Sequence, residues 1–225
     1  MKTSWLINAG NKELLIFFAG WGQSPDYFKK FKSDQFDVLM VYHYQNIEFE
    51  LINNIIEGYQ TTHCLGWSFG VKVCDLFIDQ AEISGSKIAL NGSFLPVHEE
   101  YGIPKAIFQG TLDGLSQKNW EKFMFRICGN KTLAEELVNY NLRSIDTLKE
   151  ELQYLGEISN LPSSNNFNSV QISNKDRIFP ISNLKTAWEE KNANLVTTNL
   201  PHFPFESITS WEEIVSPQPE VCHGN

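Results

Sequence analysis

The sequence predicts an α/β fold: a mostly parallel sheet with helices on both faces and one helical insertion. Three observations carry this. Short apolar runs alternate with segments of helical periodicity from the N-terminus to Leu90. Over residues 116–158 the helical spacing continues without any strand signal, and from residue 169 the alternation resumes.

The elements follow in order. Residues 4–8 and 12–20 are apolar stretches split by the turn signal Ala9-Gly10-Asn11, which predicts a hairpin. Pro25 suits a first helical turn, and a short helix is expected from Tyr27 and Phe28. Residues 36–43 read as a buried strand, 51–59 as an amphipathic helix and 61–67 as a strand. Next come a helix over 69–81 with Val71, Val73, Cys74, Phe77 and Ile78 inward, and a strand over 87–90. Within 116–158, breaks are expected at Gly129-Asn130 and around Asn139 to Asn141. A polar linker, 161–168, leads to a strand over 169–173, a helix over 181–191, a strand over 194–198 and a last helix near Trp211. The tail 216–225 is expected to fray. There is no internal repeat, and the whole reads as one domain, 1–225, with a helical lid inserted at about 115–160.

Composition narrows the function classes. The 225 residues are enough for one full core, and 42% hydrophobic against 20% charged residues rules out wholesale disorder. Eighteen Lys and Arg against 27 Asp and Glu give a net charge of −9, which suits neither nucleic acid nor an anionic membrane surface. The longest apolar run, 14–20, is far short of the roughly 20 residues of a membrane helix. Trp5-Leu6-Ile7 is too short for a signal-peptide core of roughly 7 to 15 residues, so a cytoplasmic protein is expected. Cys64, Cys74, Cys128 and Cys222 form no CxxC pair and read as reduced thiols, Cys64 and Cys74 in the core. The five histidines are dispersed, so no metal site is expected.

The sharpest chemical signal is Gly66-Trp67-Ser68-Phe69-Gly70, a G-x-S-x-G pattern with a strand before it and a helix after it. Small flanking residues allow a strained strand-to-helix turn that lifts the serine hydroxyl above the sheet, beside the positive end of the helix. A serine needs a base oriented by an acid, and behind such a turn the two follow in the order acid, histidine, each after a later strand. Asp176, after the strand ending at Ser173, and His202, after the strand ending near Thr198, meet that order at the sheet edge where such sites gather. Singly, each also fits a surface loop or a packed loop histidine; together they point to a Ser68-Asp176-His202 triad. Asp113 is the rival acid but reads better as a turn residue or a hinge. His43 and His63 are expected to be structural, His98 and His223 exposed. An acyl oxyanion needs two backbone donors, for which the Phe69 amide and the Trp21 amide in Gly20-Trp21-Gly22 are the candidates. No cofactor is called for by such a set.

These motifs, with Asn91-Gly92-Ser93, the stretch GIPKAIFQGT at 102–111, Asp176-Arg177-Ile178-Phe179-Pro180 and Pro201-His202-Phe203-Pro204-Phe205, resemble the BioG-type pimeloyl-[acyl-carrier protein] methyl ester esterases, from about residue 3 to about residue 213. The resemblance implies an α/β-hydrolase fold and an enzyme of biotin synthesis. It would hydrolyse the methyl ester of pimeloyl-carrier protein, releasing methanol. It also implies the triad roles for Ser68, Asp176 and His202 and the oxyanion hole at Trp21 and Phe69. Ala19 stands where related hydrolases usually carry a histidine. The implied partner is an acidic acyl-carrier protein, and an acidic enzyme needs a local basic face to dock it. Lys118, Lys122 and Arg126, at i, i+4 and i+8, form one stripe on a helix, which also fits an ordinary solvated face. Residues 113–150 hold six basic and six acidic side chains, so the insertion is neutral and the rest carries the −9. Two other readings stay open: a general short-chain carboxylesterase or thioesterase with the same triad, and a hydrolase-like scaffold that binds an acyl ligand without turnover.

Overall fold

A strand such as Glu13–Phe18 (β2), apolar on both sides, has to lie inside a sheet and between two covering layers. In the computed structural model, which describes residues 1–189, 191 and 193–215, β2 takes that place. The tail 216–225, with Cys222 and His223, lies outside the described residues. Beside β2 run Phe36–Tyr42 (β3) and Thr61–Trp67 (β4), both parallel to it. The sheet continues through Lys87–Leu90 (β5), Ser169–Lys175 (β6) and Asn194–Pro201 (β7), all parallel. Lys2–Ile7 (β1) closes the other edge, antiparallel to β3, for the order β1-β3-β2-β4-β5-β6-β7.

The expected hairpin between the first two strands does not form, because β3 lies between β1 and β2. The burial pattern supplies the reason. β1 is half-exposed along most of its length and suits an edge, whereas β2 needs a neighbour on each side. The Ala9, Gly10 and Asn11 amides do not close a tight turn. All three donate to the Asp37 carboxylate on β3, so the connection is anchored to the strand it crosses.

The helices Glu50–Ile56 (α1), Gly70–Ile78 (α2) and Ile181–Glu189 (α7) connect strands. Four more helices, Lys105–Asp113 (α3), Gln117–Cys128 (α4), Lys131–Tyr140 (α5) and Ile145–Ile158 (α6), stand between β5 and β6, and the short Glu212–Val215 (α8) follows β7. The chain is thus helical well before residue 115. Pro104 starts α3, and Asp113, expected at a turn, is its exposed last residue, accepting from Gln109 Nε2. The expected break at Gly129-Asn130 is a left-handed Gly129 (φ 67°) followed by Asn130, whose side chain caps α5.

One continuous core fills the molecule, with an aromatic cluster of Phe17, Phe28, Phe205 and Trp211 on one face of the sheet. Cys64 and Cys74 lie in the core as expected, and Cys128 is buried too. α2 is buried along its whole length, including Lys72 and Asp75. Lys72 Nζ donates to the Leu161 carbonyl and Ser163 Oγ, and the Asn165 amide donates to Asp75. These polar groups hold the 161–168 linker against the helix. Burial raises the Asp75 carboxyl from an ordinary 3.8 to about 6. The folded protein therefore holds a proton that the unfolded chain releases earlier. That contribution to stability is complete below pH 3.8 and is lost as the pH rises through 6. Asp75→Asn, neutral throughout, is expected to gain up to about 3 kcal/mol on wild type between pH 4 and pH 7, read from urea-unfolding midpoints across that range.

Candidate active site

The turn after β4 is built by close backbone approaches. Ser68 has a φ of 59°, a left-handed conformation costly for a residue with a side chain. A Cβ at Gly70 would lie 2.1 Å from the Phe18 carbonyl oxygen, and one at Gly92 would lie 2.3 Å from the Ser68 carbonyl oxygen. Only hydrogen fits at either point. The Ser68 amide donates to the Leu90 carbonyl at 3.0 Å, tying the turn to the end of β5.

Two loops complete the site. Asp176 follows β6 directly; its Oδ1 accepts from the amides of Ile178 (2.7 Å) and Phe179 (3.0 Å), which leaves Oδ2 for His202 Nδ1 at 2.7 Å. His202 follows β7, and its Nε2 lies 3.0 Å from Ser68 Oγ. All three are buried: the Asp176 side chain is 0% exposed, the His202 side chain 2%, and Ser68 5% exposed. The His202 carbonyl accepts from Trp67 Nε1 (2.9 Å) and Asn91 Nδ2 (3.0 Å), and its ring stacks on Phe179. With its proton on Nδ1, held by Asp176, the imidazole presents a basic Nε2 to the Ser68 hydroxyl. Such an arrangement can take the hydroxyl proton as the oxygen attacks and return it to a leaving group.

Trp21 and Phe69 frame the space beside Ser68. Among the described residues, neither their backbone amides donate to a protein acceptor nor do three His, Cys, Asp or Glu side chains converge as a metal-ion site would need. The chamber at Ser68 is small, about 10 Å³. Trp21, Phe69, Phe123 and Ile178 also line a second cavity of about 30 Å³. Ile107, Thr111, Phe123 and Arg126 continue from there into a cleft of about 320 Å³ between α3 and α4. A wider depression, about 740 Å³, lies between α4 and α5, away from Ser68. Lys118, Lys122 and Arg126 are all exposed on α4; Lys118 and Lys122 border the wider depression, Lys122 and Arg126 the cleft.

The other histidines stay outside this constellation. His43 is buried at the end of β3, and His63 pairs with Glu13 and the Ser86 amide. His98, expected to be exposed, is half-buried, because its Nδ1 accepts from the Glu100 and Tyr101 amides and its ring stacks on Tyr101. Sequence reasoning passed over the Asn91 side chain and Glu151. Glu151 had a visible signal: it interrupts the apolar stripe of α6 between Leu148 and Leu155, beside Leu152, where a charge has no place unless partnered.

A family model described as pimeloyl-ACP methyl esterase BioG matches residues 1–214. The chain belongs to the BioG family. A crystal structure of BioG from Haemophilus influenzae superposes with a TM-score of 0.84 at 28% identity, covering 96% of this chain and all (100%) of that one. An uncharacterized protein of Haemophilus influenzae is 30% identical over 222 residues, covering 95% of this chain and 99% of the relative. The malonyl-[acyl-carrier protein] O-methyltransferase of Bacteroides fragilis is 32% identical over 183 residues, which are 80% of this chain but 37% of that protein, so the chain spans little more than a third of its length. A bromoperoxidase from Bacillus anthracis shares the fold, with a TM-score of 0.65 at 14% identity, covering 89% of this chain and 87% of that one. With the family come the α/β-hydrolase fold and the esterase class of hydrolase. No helix among the described residues is long and apolar enough to cross a membrane.

The glycine contacts make a paired test. Gly92→Ala forces a methyl group onto the Ser68 carbonyl and is expected to cost more than about 2 kcal/mol. Gly110→Ala, inside α3 with nothing within 4 Å of the new Cβ, is expected to add about 0.5 to 1 kcal/mol. Thermal unfolding of both variants beside wild type checks the pair.

Proposed function

We propose that this BioG-family chain hydrolyses the methyl ester of pimeloyl-[acyl-carrier protein] in biotin biosynthesis, as a cytoplasmic serine esterase. The observation that carries this reading is the buried hydrogen-bonded series Ser68-His202-Asp176 at the carboxyl ends of three parallel strands in a chain of this family. Ser68 Oγ attacks the ester carbonyl while His202 Nε2 takes its proton. Asp176, held by the Ile178 and Phe179 amides, stabilises the imidazolium. The oxygen that becomes an anion is met by the Trp21 and Phe69 amides, whose N–H groups find no acceptor within the described protein. Methanol leaves with the proton from His202, and a water activated by the same imidazole cleaves the acyl-enzyme. No metal or organic cofactor takes part.

The cavities support the direction in which such a substrate lies. With the methyl ester at Ser68, the acyl chain follows Trp21, Phe69 and Phe123 to the cleft between α3 and α4. The helical insertion then acts as a lid over the acyl chain, and the thioester end emerges beside Lys122 and Arg126. With Lys118, these exposed cations give an acidic carrier protein a local basic face on an enzyme of net charge −9.

Methanol release from pimeloyl-carrier protein methyl ester tests the reading. Ser68→Ala is expected to lower kcat at least about 10³-fold, and wild type is expected to prefer the carrier-bound ester over simple aryl esters in kcat/KM. Equal kcat/KM on the two substrates would leave a general carboxylesterase. Reversing two charges of the stripe, Lys118→Glu with Lys122→Glu, is expected to raise KM for the carrier-bound ester about tenfold, with a much smaller change for a short aryl ester, as steady-state kinetics at low salt would show.

A further inference from the structure

Glu151 is fully buried at the inward face of α6, where leucines flank it. Its contacts reach the loop that carries Trp21, which lines the chamber at Ser68. Oε2 accepts from the Gly22 amide at 3.2 Å and from Arg143 Nη1 at 2.7 Å, and Oε1 accepts from the Tyr44 amide at 3.0 Å. Arg143 Nη2 also donates to the Gln23 carbonyl, and Asn141, which orients Arg143 through Oδ1, donates from Nδ2 to the Gly22 carbonyl at 2.6 Å. Trp21 Nε1 donates to the Leu148 carbonyl one turn before Glu151. The loop that carries Trp21 is therefore gripped by the insertion at the Gly22 amide, the Gly22 carbonyl, the Gln23 carbonyl and the Trp21 indole.

We propose that Glu151 is a positioning residue for ester hydrolysis: its carboxylate, through the Gly22 and Tyr44 amides, fixes the Trp21–Gly22 backbone so that the Trp21 amide points at the oxyanion forming beside Ser68. The inference rests on the esterase reading above. Three points favour it over a merely stabilising ion pair. Burying a carboxylate is costly, and a well-packed apolar residue usually serves stability as well; a leucine would continue the α6 stripe. Beyond its pairing with Arg143, Glu151 accepts from two backbone amides, one of them adjoining Trp21 and the other in the segment after β3, whose Tyr44 hydroxyl reaches the Ala19 carbonyl at 2.9 Å. The loop also has little room to adjust. Gly22 has a φ of 75°, a Cβ there would lie 2.2 Å from Trp120, and a Cβ at Gly20 would lie 3.0 Å from the Ser68 Cβ. A donor that contributes only in the transition state loses most of its effect when misaligned, and that loss falls on kcat rather than on substrate binding.

Glu151→Gln keeps the volume and removes the charge, turning an NH2 group toward a donor. With a short aryl ester as substrate, kcat is expected to fall about 10- to 100-fold with KM within about threefold. Inhibition by an alkyl trifluoromethyl ketone, whose serine hemiketal places an oxyanion in the same position, is expected to weaken by a similar factor. A folded Glu151→Gln with wild-type kcat would overturn the proposal, as would a kcat loss without a matching loss of ketone affinity. If that variant fails to fold, Asn141→Ala, which releases the Gly22 carbonyl and the Arg143 side chain that pairs with Glu151, is expected to lower kcat and ketone affinity together by about 3- to 10-fold. Unchanged values there would overturn the proposal equally. Ser68→Ala in parallel separates the two possible failures. A Ser68→Ala that loses less than about 10³-fold in kcat removes the serine-esterase reading itself, whereas the full loss in Ser68→Ala beside an unaffected Glu151→Gln removes only the role of Glu151.

Discussion

The left-handed backbone at Ser68 is the constraint around which the rest of the molecule is arranged. A residue with a side chain does not keep a φ of 59° unaided, so the surroundings have to hold it. They do so by crowding. Gly70 presses on the end of β2 and Gly92 presses on Ser68 itself, while Gly66 sits against Val71 on α2. Each approach is closed to any larger residue, so three strand ends and one helix start share a volume that admits only backbone. These contacts fall at the ends of β2, β4 and β5, three adjacent inner strands that are buried along nearly all their length.

Aromatic packing makes that crowding rigid. Trp67 lies edge-on to Phe203 and Phe205 and donates its indole N–H to the His202 carbonyl, so the residue before the serine also holds the histidine loop. Asn91, itself left-handed at the end of β5, adds a second donor to the same carbonyl. The parts of the site are thus linked through the backbone of His202 as well as through its ring. This is economical in sequence terms: one tryptophan and one asparagine connect loops separated by 135 and 111 residues.

Most of the fold was legible because local signals and burial agree. The β4 bounds match the apolar run at 61–67, and the Gly66 to Gly70 spacing requires the strand-turn-helix that is found. Asp176 and His202 were legible because parallel strands gather their ends on one side, so position after a strand stands in for position in space. What escaped depended on partners remote in sequence. The order of β1 and β2 is decided by which strand has two apolar faces and by Asp37 on β3, not by the Ala9-Gly10-Asn11 turn signal. The helix at 105–113 was hidden because only Phe108 and Leu112 of it are buried, too few for a periodic stripe, and Gly110 lowers its helix propensity. Glu151 and Asn91 act on backbone groups more than a hundred residues away, and no spacing rule along the chain encodes that.

The four inserted helices are not equivalent, and the difference bears on how such a fold can diversify. α3 and α4 border the cleft and the exposed cations, surfaces whose residues meet solvent on one side. α5 and α6 frame the Asn141-Arg143 turn and supply Glu151 and the Leu148 carbonyl to the loop at Gly22. The outward faces of the first pair are therefore open to redesign, although the inner face of α4 packs Trp120 on Trp21. The second is mortised into the hydrolase frame, and an exchange of the whole insertion as a single module would carry away part of the frame with it.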